Sequence, residues 1–321
     1  MSYIRGLGFV VPDLRRSGDF LSEVLDFTQL AEGDWEGPQL DQLSGMQGAS
    51  TRWMDLQLGN EFMHLMEYQK PKGRSYPGDS QSNDLWFQHA AIVVSNMEEA
   101  YARLMKHGVK AISSSPQTLP EWNTPAAGIK AFYFRSPAGH PLELIHFPPG
   151  KGRDVWQKPS SSLFLGIDHT AIAVSDTTRS LKFYRDLLGM SVAGGSLNHG
   201  DTQERLSGVP GAKVEITALR PSVPGSCGLE FLQYLQPPGG RPAPSDVAFT
   251  DEVCQITLIE MTDLEQMVEK LRKAGVPILS GGISKGEPNG PMPPAALVCD
   301  PDGHRLLLLQ SSDAAPEIPK S

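Results

Sequence analysis

The sequence predicts an α+β fold made of four tandem units, each a strand, a helix and three further strands, arranged as two cupped mixed sheets. Three observations carry this reading. Four short apolar stretches each reach a capping residue and run straight into an amphipathic helix. The turns Ser136-Pro137-Ala138-Gly139-His140 and Asp300-Pro301-Asp302-Gly303-His304 are near copies of each other. Glycine and proline are frequent, at 32 and 27, as many short strands joined by turns require.

The units follow one another in order. The first opens with Leu7-Gly8-Phe9-Val10-Val11-Pro12-Asp13 and a helix from Leu14 to Phe27. The second has His89-Ala90-Ala91-Ile92-Val93-Val94-Ser95-Asn96, then Met97 to Gly108. The third has His169-Thr170-Ala171-Ile172-Ala173-Val174-Ser175-Asp176, then Thr177 to Gly189. The fourth runs from Gln255 to Asp263, then Leu264 to Gly275. Asp13, Asn96, Asp176 and either Thr262 or Asp263 are residues whose side-chain oxygens accept from free N–H groups of a first helical turn. Gly108, Gly189 and Gly275 stand where a left-handed C-cap is wanted. Leu181, Tyr184, Leu187 and Leu188 share one helix face, with Lys182, Arg185 and Asp186 away from it.

Alternating stretches then pair as strands: Thr51 to Leu58 with Glu61 to Tyr68, and Lys130 to Phe134 with Pro141 to Phe147. Ala212 to Leu219 with Gly228 to Leu235, and Ala296 to Cys299 with Arg305 to Gln310, repeat the pattern. Tyr68 to Pro71 and Tyr234 to Pro237 close units one and three alike. The Pro/Gly/Ser-rich stretch Pro148 to Ser162 divides an N-terminal domain, residues 1–150, from a C-terminal domain, residues 163–312. A single unit offers one open face, so two must pair to close a cavity.

Composition narrows the function. The chain has 321 residues, 39% hydrophobic and 20% charged, with a net charge of −9 and no basic cluster. Nucleic acid and anionic membrane are poor partners for such a surface. Runs such as Leu306 to Leu309 are too short to span a bilayer. The chain enters a strand almost at once, leaving no room for a signal peptide. Cys227, Cys254 and Cys299 are scattered and read as reduced core residues of a cytoplasmic protein. No Ser-His-Asp order, P-loop or dinucleotide glycine pattern stands out.

Superposing the units by caps and turns marks two positions in each. Gly6, His89, His169 and Gln255 open the first strands, and His64, Glu143, Glu230 and Leu307 sit in the middle of the last strands. Leu142, Leu144, Leu229 and Phe231 flank the carboxylates, so the charged side chains alternate with apolar ones across a half-buried sheet. A carboxylate pointing into a cavity is costly unless it is paired or on a metal. Two histidines and two carboxylates suit one divalent ion, Ni, Zn, Fe, Mn or Co, without choosing among them.

The strand-opening histidine, the Leu-Glu-Leu and Leu-Glu-Phe last strands and the Pro-x-Gly-His turn resemble the vicinal-oxygen-chelate superfamily. That superfamily includes glyoxalase I, methylmalonyl-CoA epimerase, extradiol dioxygenases and the fosfomycin and bleomycin resistance proteins. The resemblance covers nearly the whole chain and implies a divalent metal held at these strand positions, completed by substrate oxygens. If units two and three pair, as in single-chain double glyoxalases, the metal set is His89, Glu143, His169 and Glu230, and the Gly6/His64/Gln255/Leu307 set is degenerate. If units one and two pair, as in extradiol dioxygenases, the set is His64, His89 and Glu143, beside a weaker His169/Glu230/Gln255 set. The first pairing accounts for all four residues. The dioxygenase signature also wants a histidine a few residues before Phe132-Tyr133, and this chain has none there.

The resemblance implies a lyase or isomerase in which the metal chelates vicinal oxygens of a hydroxy- or ketoacyl substrate. An enediolate-like intermediate would be stabilised, with Glu143 or Glu230 as the proton-moving base. A non-haem Fe(II) dioxygenase and a non-enzymatic binder of a drug or metabolite are the alternatives. The partner is a small molecule, and the chain a monomer or homodimer. His140 and His304 read as structural turn residues, His107 as the end of a helix, and His199 as a loop residue able to cover the cavity. Trp122, Trp156 and Tyr234 are either pocket walls or core.

Overall fold

A computed structural model of the chain describes residues 1–287 and 290–311. Residues 288, 289 and 312 of the expected C-terminal domain therefore lie outside the described residues. Unit one contains β1 (Ser2–Val10), α1 (Leu14–Asp19), β2 (Thr28–Glu36), α2 (Pro38–Ser44), β3 (Ser50–Leu58) and β4 (Glu61–Lys70). Unit two contains β5 (Gln88–Val94), α3 (Met97–Lys106), the short β6 (Lys110–Ala111) and β7 (Gln117–Thr118), β8 (Lys130–Arg135) and β9 (Pro141–His146). Unit three contains β10 (Phe164–Ala173), α4 (Thr177–Leu181), β11 (Ser191–His199), α5 (Asp201–Ser207), β12 (Lys213–Arg220) and β13 (Gly228–Gln236). Unit four contains β14 (Gln255–Met261), α6 (Leu264–Lys273), β15 (Ala295–Cys299) and β16 (Arg305–Gln310).

Units two and three share one sheet, in the order β11-β12-β13-β10-β5-β9-β8-β6, with β7 also on β8. Units one and four share the other, β15-β16-β14-β1-β4-β3-β2. The units of each sheet meet at a central antiparallel pair, β5 with β10 and β1 with β14. Within each unit the first and last strands run parallel. Alternation then sorts the side chains. Ala90, Ile92 and Val94 of β5 turn towards α3 and join a large core with Leu104, Ile172 and Tyr184. Ala91 and Val93 turn to the inner face, with Ile145. Each fully buried Leu, Ile or Phe of that core contributes roughly 1.5–3 kcal/mol.

The helix ends follow the expected chemistry with one exception. Asp13, Asn96 and Asp176 accept from the N–H of Arg16, Glu99 and Arg179. Asp263 precedes α6 but its side chain caps nothing; Gln310 Oε1 takes the Leu264 N–H instead, at 3.2 Å. Gly108, Gly189 and Gly275 have φ of 67°, 77° and 76°, the left-handed C-cap conformation. α1 and α4 widen into π turns over Phe20–Val24 and Lys182–Leu187 before their expected ends.

Four elements were not placed by the sequence reading, which expected a third strand after each helix without locating it. β2 and β11 are almost wholly exposed, so no apolar alternation announces them. α2 and α5 are seven residues each, two turns, too short to show a period. The even count of three strands after each helix fails in unit two, where the short β6 and β7 precede β8 and β9, and in unit four. Among the described residues, isolated bridges at Ile278 and Ser284 stand there in place of a continuous strand.

Candidate metal centre

The centre arises from the register of four neighbouring strands. Across the antiparallel β5–β10 pair, His89 faces Ala171 and His169 faces Ala91. Across the parallel pairs, Ala91 lies beside Glu143 on β9 and Ala171 beside Glu230 on β13. The two halves are thus related by a local two-fold, and all four polar side chains point to the inner face.

His89 Nε2 lies 3.0 Å from Glu143 Oε2, and His169 Nε2 lies 3.6 Å from the same oxygen. Glu230 Oε2 lies 3.5 Å from His169 Nε2. His89, Glu143 and His169 offer ligand atoms that are all within 4.8 Å of one another. Glu230 stands at the rim of this trio, its side chain 25% exposed against 6% for Glu143.

Both ring nitrogens of His89 are buried and lack a hydrogen-bond partner; the short approach of Glu143 is not aligned as a hydrogen bond. A buried polar group left so costs about 1–3 kcal/mol. Metal–ligand bonds near 2.1 Å place neighbouring donor atoms about 3–3.5 Å apart, and Glu143 Oε2 lies 3.0 and 3.6 Å from the two imidazole nitrogens. The donor set and its orphaned imidazole therefore fit a divalent cation.

Behind the trio lies a charged network. Asp168 Oδ2 takes His169 Nδ1 at 3.1 Å, and its other oxygen takes Trp156 Nε1 at 2.6 Å and Arg153 Nε at 3.2 Å. Burial disfavours the imidazolium of His169, but Glu230, Asp168 and Glu143 outweigh it and push its pKa up to about 9. Burial works against the Asp168 carboxylate as well, yet His169, Arg220 and Arg153 hold it well below the usual range. The walls differ between the halves. Glu143 faces buried Tyr133 across the β8–β9 pair, whereas Glu230 faces Ala218 across β12–β13. The Glu230 side is therefore the more open of the two.

The other sheet corrects one assignment. Its register sets Gly8 against Ile256, Gly6 against Leu258, and Leu258 beside Leu307. The residue equivalent to His89 is thus Ile256; Gln255 is equivalent to Gln88 and belongs to the opposite face. Aligning strand starts alone cannot detect that one-residue slip, which reverses every side chain. His64 sits in β4 with Nδ1 2.6 Å from Asp55 Oδ1 and its ring stacked on Trp53. It lies in the other sheet from His89 and Glu143, so the set His64, His89 and Glu143 is not brought together.

The remaining histidines and aromatic residues fall as follows. His140 and His304 tie their matching turns to the carbonyls of Glu252 and Ala173, at 2.7 and 2.8 Å. His107 follows α3 directly, its backbone N–H donating to the last carbonyls. His199 is not a loop residue; it ends β11, where Trp122 stacks on it with ring centroids 4.3 Å apart. Tyr234 is packed in the inner-face core with Phe87 and Tyr133. Asp168, Arg153 and Trp156 form the part of the site that ligand spacing did not reveal; the Asp168-His169 doublet was its one visible sign.

Paired cupped sheets with a histidine and a carboxylate from each half define a fold of duplicated βαβββ units built around an inner-face site. The profile of the glyoxalase/bleomycin resistance protein/dioxygenase superfamily matches residues 4–144 and 166–308, and the chain belongs to that superfamily. It is 31% identical to a 2-epi-5-epi-valiolone epimerase of an Actinomyces species over 155 residues, 46% of this chain and 80% of that protein. The fold is similar to glyoxalase I from Zea mays, with a TM-score of 0.60 and 18% identity over 97% of this chain and 92% of that one. No helix among the described residues is long and apolar enough to cross a membrane.

Proposed function

We propose that the chain is a metal-dependent isomerase or lyase that moves a proton on a small oxygenated substrate. The observation that carries this reading is the convergence of His89, Glu143 and His169 on one point, with the His89 nitrogens unpartnered. These three residues would hold the ion. A divalent cation, Ni, Zn, Fe, Mn or Co, supplies Lewis acidity to vicinal substrate oxygens.

Glu230 is the base in this reading. It sits at the rim, beside the small Ala218, with one oxygen free to reach a substrate carbon. It takes the proton from the carbon next to a carbonyl and returns it to the rearranged or inverted skeleton. Tyr133 and Phe87 wall the opposite side and exclude water. Similarity to an epimerase supports isomerisation ahead of bond cleavage.

The test is proton exchange. Metal-free protein is reloaded with each of the five ions and incubated in D2O with 2-epi-5-epi-valiolone and with small hydroxyketones, and deuterium at carbon is followed by NMR. Metal-dependent exchange that drops at least a hundredfold in Glu230→Gln, with ion content retained, is the expected result. Exchange that survives in Glu230→Gln removes that residue as base, and absence of exchange with every ion removes the proton-transfer reading. A second reading rests on the donor set itself. Two histidines and one carboxylate also suit non-haem Fe(II). Iron-selective loading with oxygen consumption on a catechol would favour a dioxygenase.

A further inference from the structure

We propose that Asp168 is a positioning residue that fixes the ring of His169, and that the connector between the two halves of the chain holds Asp168 in place. This rests on the metal reading above. Asp168 is 3% exposed and lies at an irregularity in β10, where the register against β5 shifts between Ile167 and His169. In regular strand geometry, neighbours point to opposite faces. A bulge inserts a residue and re-aims the side chains around it, and here it brings the Asp168 carboxylate beside the ring of its own neighbour.

The consequence is chemical. A carboxylate is an acceptor only, so the His169 nitrogen at 3.1 Å from it, Nδ1, must carry the proton. Nε2 is then the nitrogen that faces Glu143 and Glu230. Asp168 is itself fixed from the connector: Arg153 Nε and Trp156 Nε1 donate to its Oδ1. The Arg153 guanidinium stacks on Trp156 with 4.3 Å from carbon to ring centroid, and it also bonds the carbonyls of Ile167 and Gly225 and reaches Glu61 Oε1 at 3.4 Å. Arg220 Nη2 stands 4.0 Å from Asp168 Oδ2. His89, by contrast, has no hydrogen-bond partner at either ring nitrogen, though its Nε2 lies 3.0 Å from Glu143 Oε2.

The two histidines are therefore unequal. One is oriented by a carboxylate that the connector clamps; the other is packed against Phe87 and Tyr133 with no carboxylate hydrogen-bonded to its ring. β1 carries the matching register shift between Ile4 and Gly6, where the extra residue is Arg5 and no histidine follows. The bulge belongs to both sheets, and only unit three puts a carboxylate behind a ligand.

Cobalt(II) titration of the full chain, read by visible absorption and by calorimetry, tests this. Asp168→Asn should weaken cobalt binding roughly 10–100-fold and broaden or shift the absorption bands, while the metal-free protein melts as a single cooperative unit. Trp156→Phe, which deletes one donor to Asp168 and keeps the packing, should move affinity the same way by a smaller factor. It carries the test if Asp168→Asn does not fold. Wild-type affinity and spectrum in both variants, with binding lost in His169→Ala, would overturn the positioning role and leave the metal reading intact. Unchanged binding in His169→Ala as well would overturn both.

Discussion

His64 occupies in β4 the place that Glu230 occupies in β13: His64 pairs with Asp55 across β3, as Glu230 pairs with Ala218 across β12. The same backbone position carries two different chemistries. Next to Glu230 stand His169 and the trio; next to His64 stand Asp55, Trp53 and an apolar cup of Val10, Ile256, Leu258 and Leu307. His64→Ala is therefore expected to leave metal content at the wild-type level, about one ion per chain. His89→Ala, Glu143→Ala and His169→Ala should each lose most of it. Elemental analysis after gel filtration decides, and loss of the ion in His64→Ala would mean that the second sheet takes part.

The second cup is core, and it should behave as core. Leu307 and Ile256 are 2% and 1% exposed where the first sheet has Glu143 and His89. Leu307→Ala leaves a cavity among Leu258, Leu297 and Leu309, and is expected to cost about 2–5 kcal/mol. Urea denaturation of the metal-free protein measures this. A cost under about 0.5 kcal/mol would show that the cup is loosely packed and open to a ligand.

Most of the architecture was legible because it is repeated. Caps, helix faces and the Pro-x-Gly-His turns recur, and each copy supports the others. The four polar residues were legible for the same reason: His89 and His169 each stand two residues before the alanine that lies beside a glutamate. What failed was what repetition does not protect. Gln255 was aligned one residue off because strand starts, unlike strand pairs, do not fix register. β11 was missed because Val192 and Leu197 are exposed, so its face has no apolar rhythm. The Asp168 network showed only in the Asp168-His169 doublet, because Arg153 and Trp156 lie in the connector between units two and three, outside the repeated elements.

The caps offer a graded test of local energetics. Asp13, Asn96 and Asp176 accept N–H bonds of 2.9, 3.1 and 2.8 Å at the starts of α1, α3 and α4. Alanine at any of them should cost about 1 kcal/mol. Asp263→Ala should cost little, because its side chain caps nothing. Gln310→Ala should carry the penalty at α6, since Gln310 takes the Leu264 N–H and also donates to the Thr262 carbonyl at 2.8 Å. Thermal melts of the five variants rank them, and an Asp263→Ala protein less stable than Gln310→Ala would refute this assignment.

His140 makes stability depend on pH in a window that its surroundings define. It is buried against Phe9 and Tyr76, its Nε2–H donates to the Glu252 carbonyl, and burial pushes its pKa down to about 4. In the unfolded chain an ordinary histidine titrates near 6.5. Between those values the unfolded state binds the proton and the folded state does not, so stability falls as pH drops from about 6.5 towards 4. A shift of this size corresponds to at most about 3 kcal/mol. His140→Gln keeps a donor for the Glu252 carbonyl and removes the titration. Its melting temperature should therefore lie below wild type at pH 7, with a clearly smaller further drop at pH 4.5. If both proteins lose the same number of degrees between those two pH values, acid sensitivity arises from other groups and His140 has no part in it.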